Sequence, residues 1–322
     1  MPKTRLVSWC AALAVLVAAF AVAGCGGGSG EASSGRPGER IAGIEERQLR
    51  VTTTANFITD LAGQIGGERV EVTGLMGAGV DPHLYKASAG DVGRLEDADV
   101  IFYGGLELEG RMSDLLIEMA AERTTVAVTR DIPESRLLEP PEFQGKFDPH
   151  VWFDIDLWRL AAETVADVYT QLDPQSDEYY SERLRNYLRQ LDDLQKYAEA
   201  KVAEVPERSR VLVTAHDAFN YFGRAHGFEV EAIQGISTAT EATTADIDRV
   251  ARLIAQRRLK AVFIESSVPR QTIDAVLAAA AKRGWRARVG GSLFSDAAGD
   301  PGSEEGTYIG MLRHNVDTIV EA

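Results

Sequence analysis

Cysteine is nearly absent. The 322 residues contain 2, Cys10 and Cys25, both close to the amino terminus. Beyond residue 25 there is no thiol, which excludes structural disulfides in the body, a cysteine nucleophile and thiolate-bound zinc. Any metal site there must be built from imidazole and carboxylate. Histidine is also scarce, at 5: His83, His150, His216, His226 and His314. Positive charge is outweighed, with 34 Lys and Arg against 49 Asp and Glu, a formal net charge of −15. That balance argues against a nucleic-acid partner, since phosphate contacts need clustered basic side chains. An acidic body lowers the cost of bringing a divalent cation close, although its commoner role is solubility.

A long apolar run occurs only at residues 6–22, after Lys3 and Arg5. It is short for a spanning helix and ends in small residues, as signal peptides do. Val22-Ala23-Gly24-Cys25 resembles the bacterial lipoprotein cleavage box. The resemblance implies a lipoprotein signal segment over 1–25, with Cys25 lipidated, and an extracytoplasmic body anchored to the cell membrane. An ordinary signal peptide with an incidental cysteine is the alternative. Gly26-Gly27-Gly28-Ser29-Gly30 opens a flexible tether over 26–47.

From residue 48 the pattern alternates. Strands are expected at 49–54, 70–72, 100–103 and 125–128, with helices at 58–65, 91–96 and 111–121 between them. After Pro206 the alternation resumes, with strands at 211–214, 229–233, 261–264 and 286–289. Helices are expected there at 219–225, 244–256, 271–282 and 307–320. Alternation of this kind implies parallel sheets covered by helices. Between the halves, a helix at 156–171 is broken by Asp173-Pro174, and residues 176–204 then run without Gly or Pro. Tyr180, Leu184, Tyr187, Leu188, Leu191, Leu194, Tyr197, Ala198 and Val202 step by threes and fours, the pattern of one long amphipathic helix. The expected fold is α/β: two lobes, each a mainly parallel sheet flanked by helices (48–175 and 206–322), joined by a long backbone helix over 176–205. A single helix joining the lobes is stiff, so ligand binding should move them only modestly.

Two histidines share one tripeptide, Asp81-Pro82-His83 and Asp148-Pro149-His150. Proline fixes its own φ and holds the preceding Asp extended. The result is a rigid turn that presents an imidazole with a carboxylate two residues before it. Asp81 and Asp148 either accept the second ring N–H of the histidine or cap the turn, capping being the better reading. His216 follows the strand at 211–214, and Asp296 follows the one at 286–289. Ligands bind beyond the carboxyl ends of strands in open α/β sheets, yet each of these two is a weak signal alone.

Together, Asp81-Pro-His-Leu-Tyr85, Asp148-Pro-His-Val-Trp152, Ala215-His-Asp-Ala-Phe219 with Tyr221-Phe222, and Ile264-Glu-Ser-Ser-Val268 followed by Phe294-Ser-Asp296 resemble the metal-binding solute-binding lipoproteins of zinc and manganese ABC transporters (cluster A-I). The resemblance runs from about residue 48 to the end. It implies two α/β lobes on one backbone helix, and capture of Zn²⁺ or Mn²⁺ by His83, His150, His216 and Asp296. It also implies a monomeric body, no enzymatic activity, and a permease and an ATPase of a metal importer as partners. Three imidazoles and a carboxylate suit both ions. The chain departs from many dedicated zinc importers in lacking a His-rich loop, residues 107–147 having no His. Glu107 stands where relatives often carry His, and Glu107 and Glu109 are expected at a helix start or on the surface. His226 is expected to be a cation at a helix carboxyl end, and His314 to be structural. Glu265 either supports His216 as an acceptor or takes a plain surface role.

Two other classes compete. A secreted zinc hydrolase needs an open coordination position and a base, and the chain has no His-Glu-x-x-His helix. A binding protein for a siderophore or other organic ligand leaves the repeated Asp-Pro-His unexplained. Binding through neutral imidazoles predicts weaker metal affinity below about pH 6.5.

Overall fold

The computed structural model describes residues 41, 43–143 and 145–322. The expected signal segment, Cys25 and most of the tether lie outside the described residues. The last residues of the expected tether are built into the body: Ile44 is buried, and its carbonyl accepts from Arg69 Nη2 at 2.9 Å. Arg69 also pairs with the buried Asp173 at 2.8 Å.

The amino-terminal half alternates β1 (Leu49–Thr53), α1 (Asn56–Gly66), β2 (Val70–Gly74), α2 (Ala89–Glu96), β3 (Val100–Tyr103), α3 (Ser113–Glu122) and β4 (Thr124–Ala127). Its four strands form one parallel sheet in the order β2-β1-β3-β4. Then come α4 (Ile155–Leu172), capped by Asp154, and α5 (Asp177–Val202). The carboxyl-terminal half contains β5 (Val211–Thr214), α6 (Asn220–His226), β6 (Glu229–Ala232), α7 (Thr244–Arg257), β7 (Ala261–Glu265), α8 (Gln271–Lys282), β8 (Arg288–Leu293) and α9 (Tyr308–Val320). Here the strands pair in parallel as β5-β6 and β7-β8, with β5 lying against β7.

β8 runs later than the expected 286–289, because Gly290 and Gly291 continue it. A Cβ on Gly291 would meet Thr318 Cγ2 of α9, and one on Gly290 would lie 2.8 Å from the Phe263 ring. These glycines permit close packing and do not end the strand.

α5 buries Tyr180, Tyr187, Leu191, Leu194, Ala198 and Val202 along one stripe, as the helical period requires. It joins the two halves. Tyr187 Oη accepts from Trp158 Nε1 of α4 at 3.0 Å, and Arg183 Nε donates to Gln64 O of α1 at 2.7 Å. Tyr197 Oη bonds Asp317 of α9 at 2.5 Å. One hydrophobic core runs through both halves, from Phe57 and Phe102 by way of Trp152, Trp158 and Tyr187 to Phe219, Tyr308 and Val316. Asn56 adds a two-way amide bond across them: its Nδ2 donates to Ala298 O at 2.9 Å, and its Oδ1 accepts from Ala298 N at 2.8 Å. Among the described residues no helix is long and apolar enough to cross a membrane.

Candidate metal centre

His83 lies on the segment after β2, His150 just before α4, His216 just past β5 and Asp296 just past β8. All four are at most 2 % exposed. One ligand atom from each lies within 4.8 Å of the other three. The imidazole rings stand 5.3 to 6.1 Å apart, centroid to centroid.

Four buried polar atoms here lack a hydrogen-bond partner: the Nε2 atoms of His83, His150 and His216, and Asp296 Oδ1. Buried polar groups are almost always paired, because leaving one unpaired costs about 1–3 kcal/mol. Four such atoms facing one another are therefore a demand for a cation. His150 Nε2 is 3.4 Å from Asp296 Oδ1, and His216 Nε2 is 3.3 Å from Asp296 Oδ2. These are ion-pair contacts without hydrogen-bond alignment. Two donors each about 2.0–2.1 Å from one zinc ion would stand about 3.3 Å apart in a tetrahedron, which the two His–Asp296 pairs match.

Each histidine is held by a carboxylate, in two different ways. Asp148 Oδ1 accepts from both the His150 backbone N–H (3.0 Å) and ring Nδ1 (2.7 Å), so Asp148 both caps the turn and orients the ring. Its Oδ2 accepts from Asn220 Nδ2 at 3.2 Å. Glu265, buried at the end of β7, accepts from the backbone N–H groups of Ala215 and His216 through Oε1 (2.7 and 2.9 Å). Its Oε2 accepts from His216 Nδ1 at 2.5 Å. Asp81 caps only: Oδ1 accepts from the His83 backbone N–H at 2.8 Å, and Oδ2 from Thr238 Oγ1 at 2.6 Å. Among the described residues no carboxylate is hydrogen-bonded to the His83 ring.

The electrostatics follow. Burial, seconded by the neighbouring His150 and His216, pushes His83 down to about 3 despite Asp296. Burial also opposes charge on His150, but Asp148 and Asp296 outweigh it and hold the ring up at about 9. His216 is raised well above its ordinary value, burial being overcome by Asp296 and Glu265. Burial would raise Asp296, yet His216, His150 and His83 hold it well below the usual carboxylate range. Burial and then Asp296 raise Asp81. The carboxylates around the metal-free centre thus favour protons on His150 and His216.

Two expectations are revised. Glu109 does stand at a helix start, just before the short turn Gly110–Met112, but it is buried, and accepts from Thr54 Oγ1 (2.6 Å) and from the N–H groups of Gly104 (2.7 Å) and Gly105 (3.2 Å). It anchors a loop in which Gly105, Leu106 and Glu107 all have positive φ (82°, 54° and 70°). Glu107 is half-exposed and pairs with Lys146 at 3.1 Å. His226 does end α6, but it is buried against the Phe222 ring, and burial lowers its pKa, so it is no helix-end cation. His314 contacts Ser292 O at 2.9 Å, away from the centre. Sequence reasoning passed over Ser267, whose hydroxyl bonds Asp296 Oδ2 at 3.1 Å, although it lies in the quoted Ile264–Val268 motif. It also passed over Thr238 and Asn220, which carry no motif.

The manganese-binding lipoprotein MntA of Bacillus subtilis is 44 % identical over 310 residues, covering 96 % of this chain and 97 % of that one. The zinc-binding protein TroA of Treponema pallidum is 47 % identical over 285 residues, 88 % of this chain and 92 % of that one. The solved structure of periplasmic TroA superposes with a TM-score of 0.83 at 47 % identity, covering 85 % of this chain and 99 % of that chain. The family described as zinc-uptake complex component A, periplasmic, matches residues 51–322. That span runs from β1 to the carboxyl terminus and includes every donor of the buried centre, so the chain belongs to the ZnuA family of extracytoplasmic metal-binding components of ABC transporters.

Proposed function

We propose that this protein captures Zn²⁺ or Mn²⁺ outside the cytoplasm through His83, His150, His216 and Asp296 and passes the ion to the permease and ATPase of an ABC importer. The observation that carries this is the set of four buried, unpartnered donor atoms facing one another. The relatives named above are described as manganese-binding and zinc-binding. The donor set accepts both ions and holds zinc the more tightly, as the affinity order of divalent metals requires.

The ion is cargo. Residues 48–175 and 206–322 act as lobes that supply two donors each, and the helix over 176–205 holds them in register. Release then requires an outside agent to part them. A hydrolase would leave a coordination position open beside a base, whereas four convergent protein donors suit retention. The body acts as a monomer on a lipid carried by Cys25.

The deciding experiment is metal analysis and affinity measurement on His216→Ala. Loss of zinc and manganese binding is expected, and unchanged binding would sink the assignment. Mass spectrometry of the membrane-extracted protein tests the anchor, which requires an acylated Cys25 at the new amino terminus.

A further inference from the structure

Thr238 provides no donor to the centre, yet it sits where the two halves meet around it. It lies on the loop between β6 and α7 and is 7 % exposed. That loop is fastened to the His216 segment by Gln234 N→Ala215 O (2.9 Å) and Asp217 N→Gly235 O (3.4 Å). On its other side, Thr238 Oγ1 donates to Asp81 Oδ2 at 2.6 Å, 157 residues away in sequence. The same carboxylate fixes the backbone of His83 through Oδ1.

The arrangement at Asp148 is parallel. One oxygen holds the His150 backbone, and the other meets Asn220 from the opposite half. The parallel ends there, because the His150 ring also rests on Asp148, whereas Asp81 holds only the backbone of His83. His83 therefore depends on its turn for position, and the turn depends on a bond across the cleft. Gly79, with φ of 70°, brings the same segment close to the Ser266 carbonyl of the opposite half.

We propose that Thr238 is a positioning residue for His83: its hydroxyl latches the Asp81-Pro82-His83 turn to the opposite half and so sets how long a bound ion is retained. The inference rests on the metal-capture reading above. The bond already stands in the metal-free arrangement, so Thr238 acts by slowing the opening of the His83 turn through which a bound ion leaves.

The test is a chelator chase of the Zn²⁺-loaded full chain, followed by the fluorescence of Trp152, whose ring lies 5.2 Å from that of His150. Losing a hydrogen bond to a charged acceptor should speed release about tenfold or more in Thr238→Val. Thr238→Ala carries the same expectation should the valine variant not fold. Thr238→Ser, which keeps the hydroxyl, should release near the wild-type rate. In an Asp81→Ala background, Thr238→Val should have no further effect. Release at the wild-type rate from both Thr238→Val and Thr238→Ala, or an undiminished effect without Asp81, overturns the latch. Wild-type protein that takes up no zinc sinks the metal reading itself, whereas normal uptake with unchanged release sinks the latch alone.

Discussion

Asp148 holds His150 twice with one oxygen, through the backbone N–H at 3.0 Å and through ring Nδ1 at 2.7 Å. The turn and the ring of this donor are thus fixed by a single group. Carboxylates that orient metal-bound histidines typically contribute about 10–100-fold in affinity. Asp148→Asn should therefore weaken zinc binding by about that factor while the protein still folds, as competition against a chelator of known affinity would read.

Proton release follows from the raised rings. At pH 7, His150 (about 9) and His216 (well above its ordinary value) carry protons that a metal must displace, while His83 (about 3) is already neutral. Zinc binding should release about two protons per ion near pH 7. Apparent affinity should climb with pH until about 9. Calorimetry in buffers of different ionisation enthalpy measures the count, and release of none would contradict the assignment.

The same shift bears on stability. The folded His150 value of about 9 lies above the unfolded value of about 6.5. Protonated His150 therefore stabilises the metal-free fold fully below about pH 6.5, and that contribution is lost as pH rises toward 9. The gap in melting temperature between loaded and metal-free protein should widen across that window. At an ion concentration of about a thousand times Kd, near neutral pH, chelation should lower the melting temperature by about 10 °C.

Lobe motion should be small. The core is continuous from Phe57 to Val316, α5 is bonded to both halves, and Asn56 and Ala298 tie them directly. Addition of zinc should change the radius of gyration in solution scattering by less than about 1 Å. A larger change would mean that these bonds break when the ion leaves.

Glu109 supports the left-handed backbone of Leu106 and Glu107 through three hydrogen bonds. Glu109→Ala leaves those donors buried and unpaired, and should cost about 3 kcal/mol in urea unfolding.

The order of elements was legible because strand and helix periods differ and Gly and Pro punctuate them. The repeated Asp-Pro-His was legible because its rigidity is local. What escaped depends on partners distant in sequence. Glu109 looks like a surface acid until Thr54 stands beside it, and His226 looks like a helix-end cation until Phe222 covers it. Gly290 and Gly291 look like breakers until Thr318 and Phe263 show why no side chain fits. Thr238 could not be read at all, since its importance lies in one bond across the cleft.

Ile44, bonded to Arg69 just before β2, fixes where the chain enters the body. That point is at the amino ends of β1 and β2, whereas His83, His216 and Asp296 lie past the carboxyl ends of β2, β5 and β8. The entry of the chain into the body and the donor set thus lie at opposite ends of these strands. On the proposed anchor, a leash made longer or shorter would alter reach and leave the grip on the ion as it was.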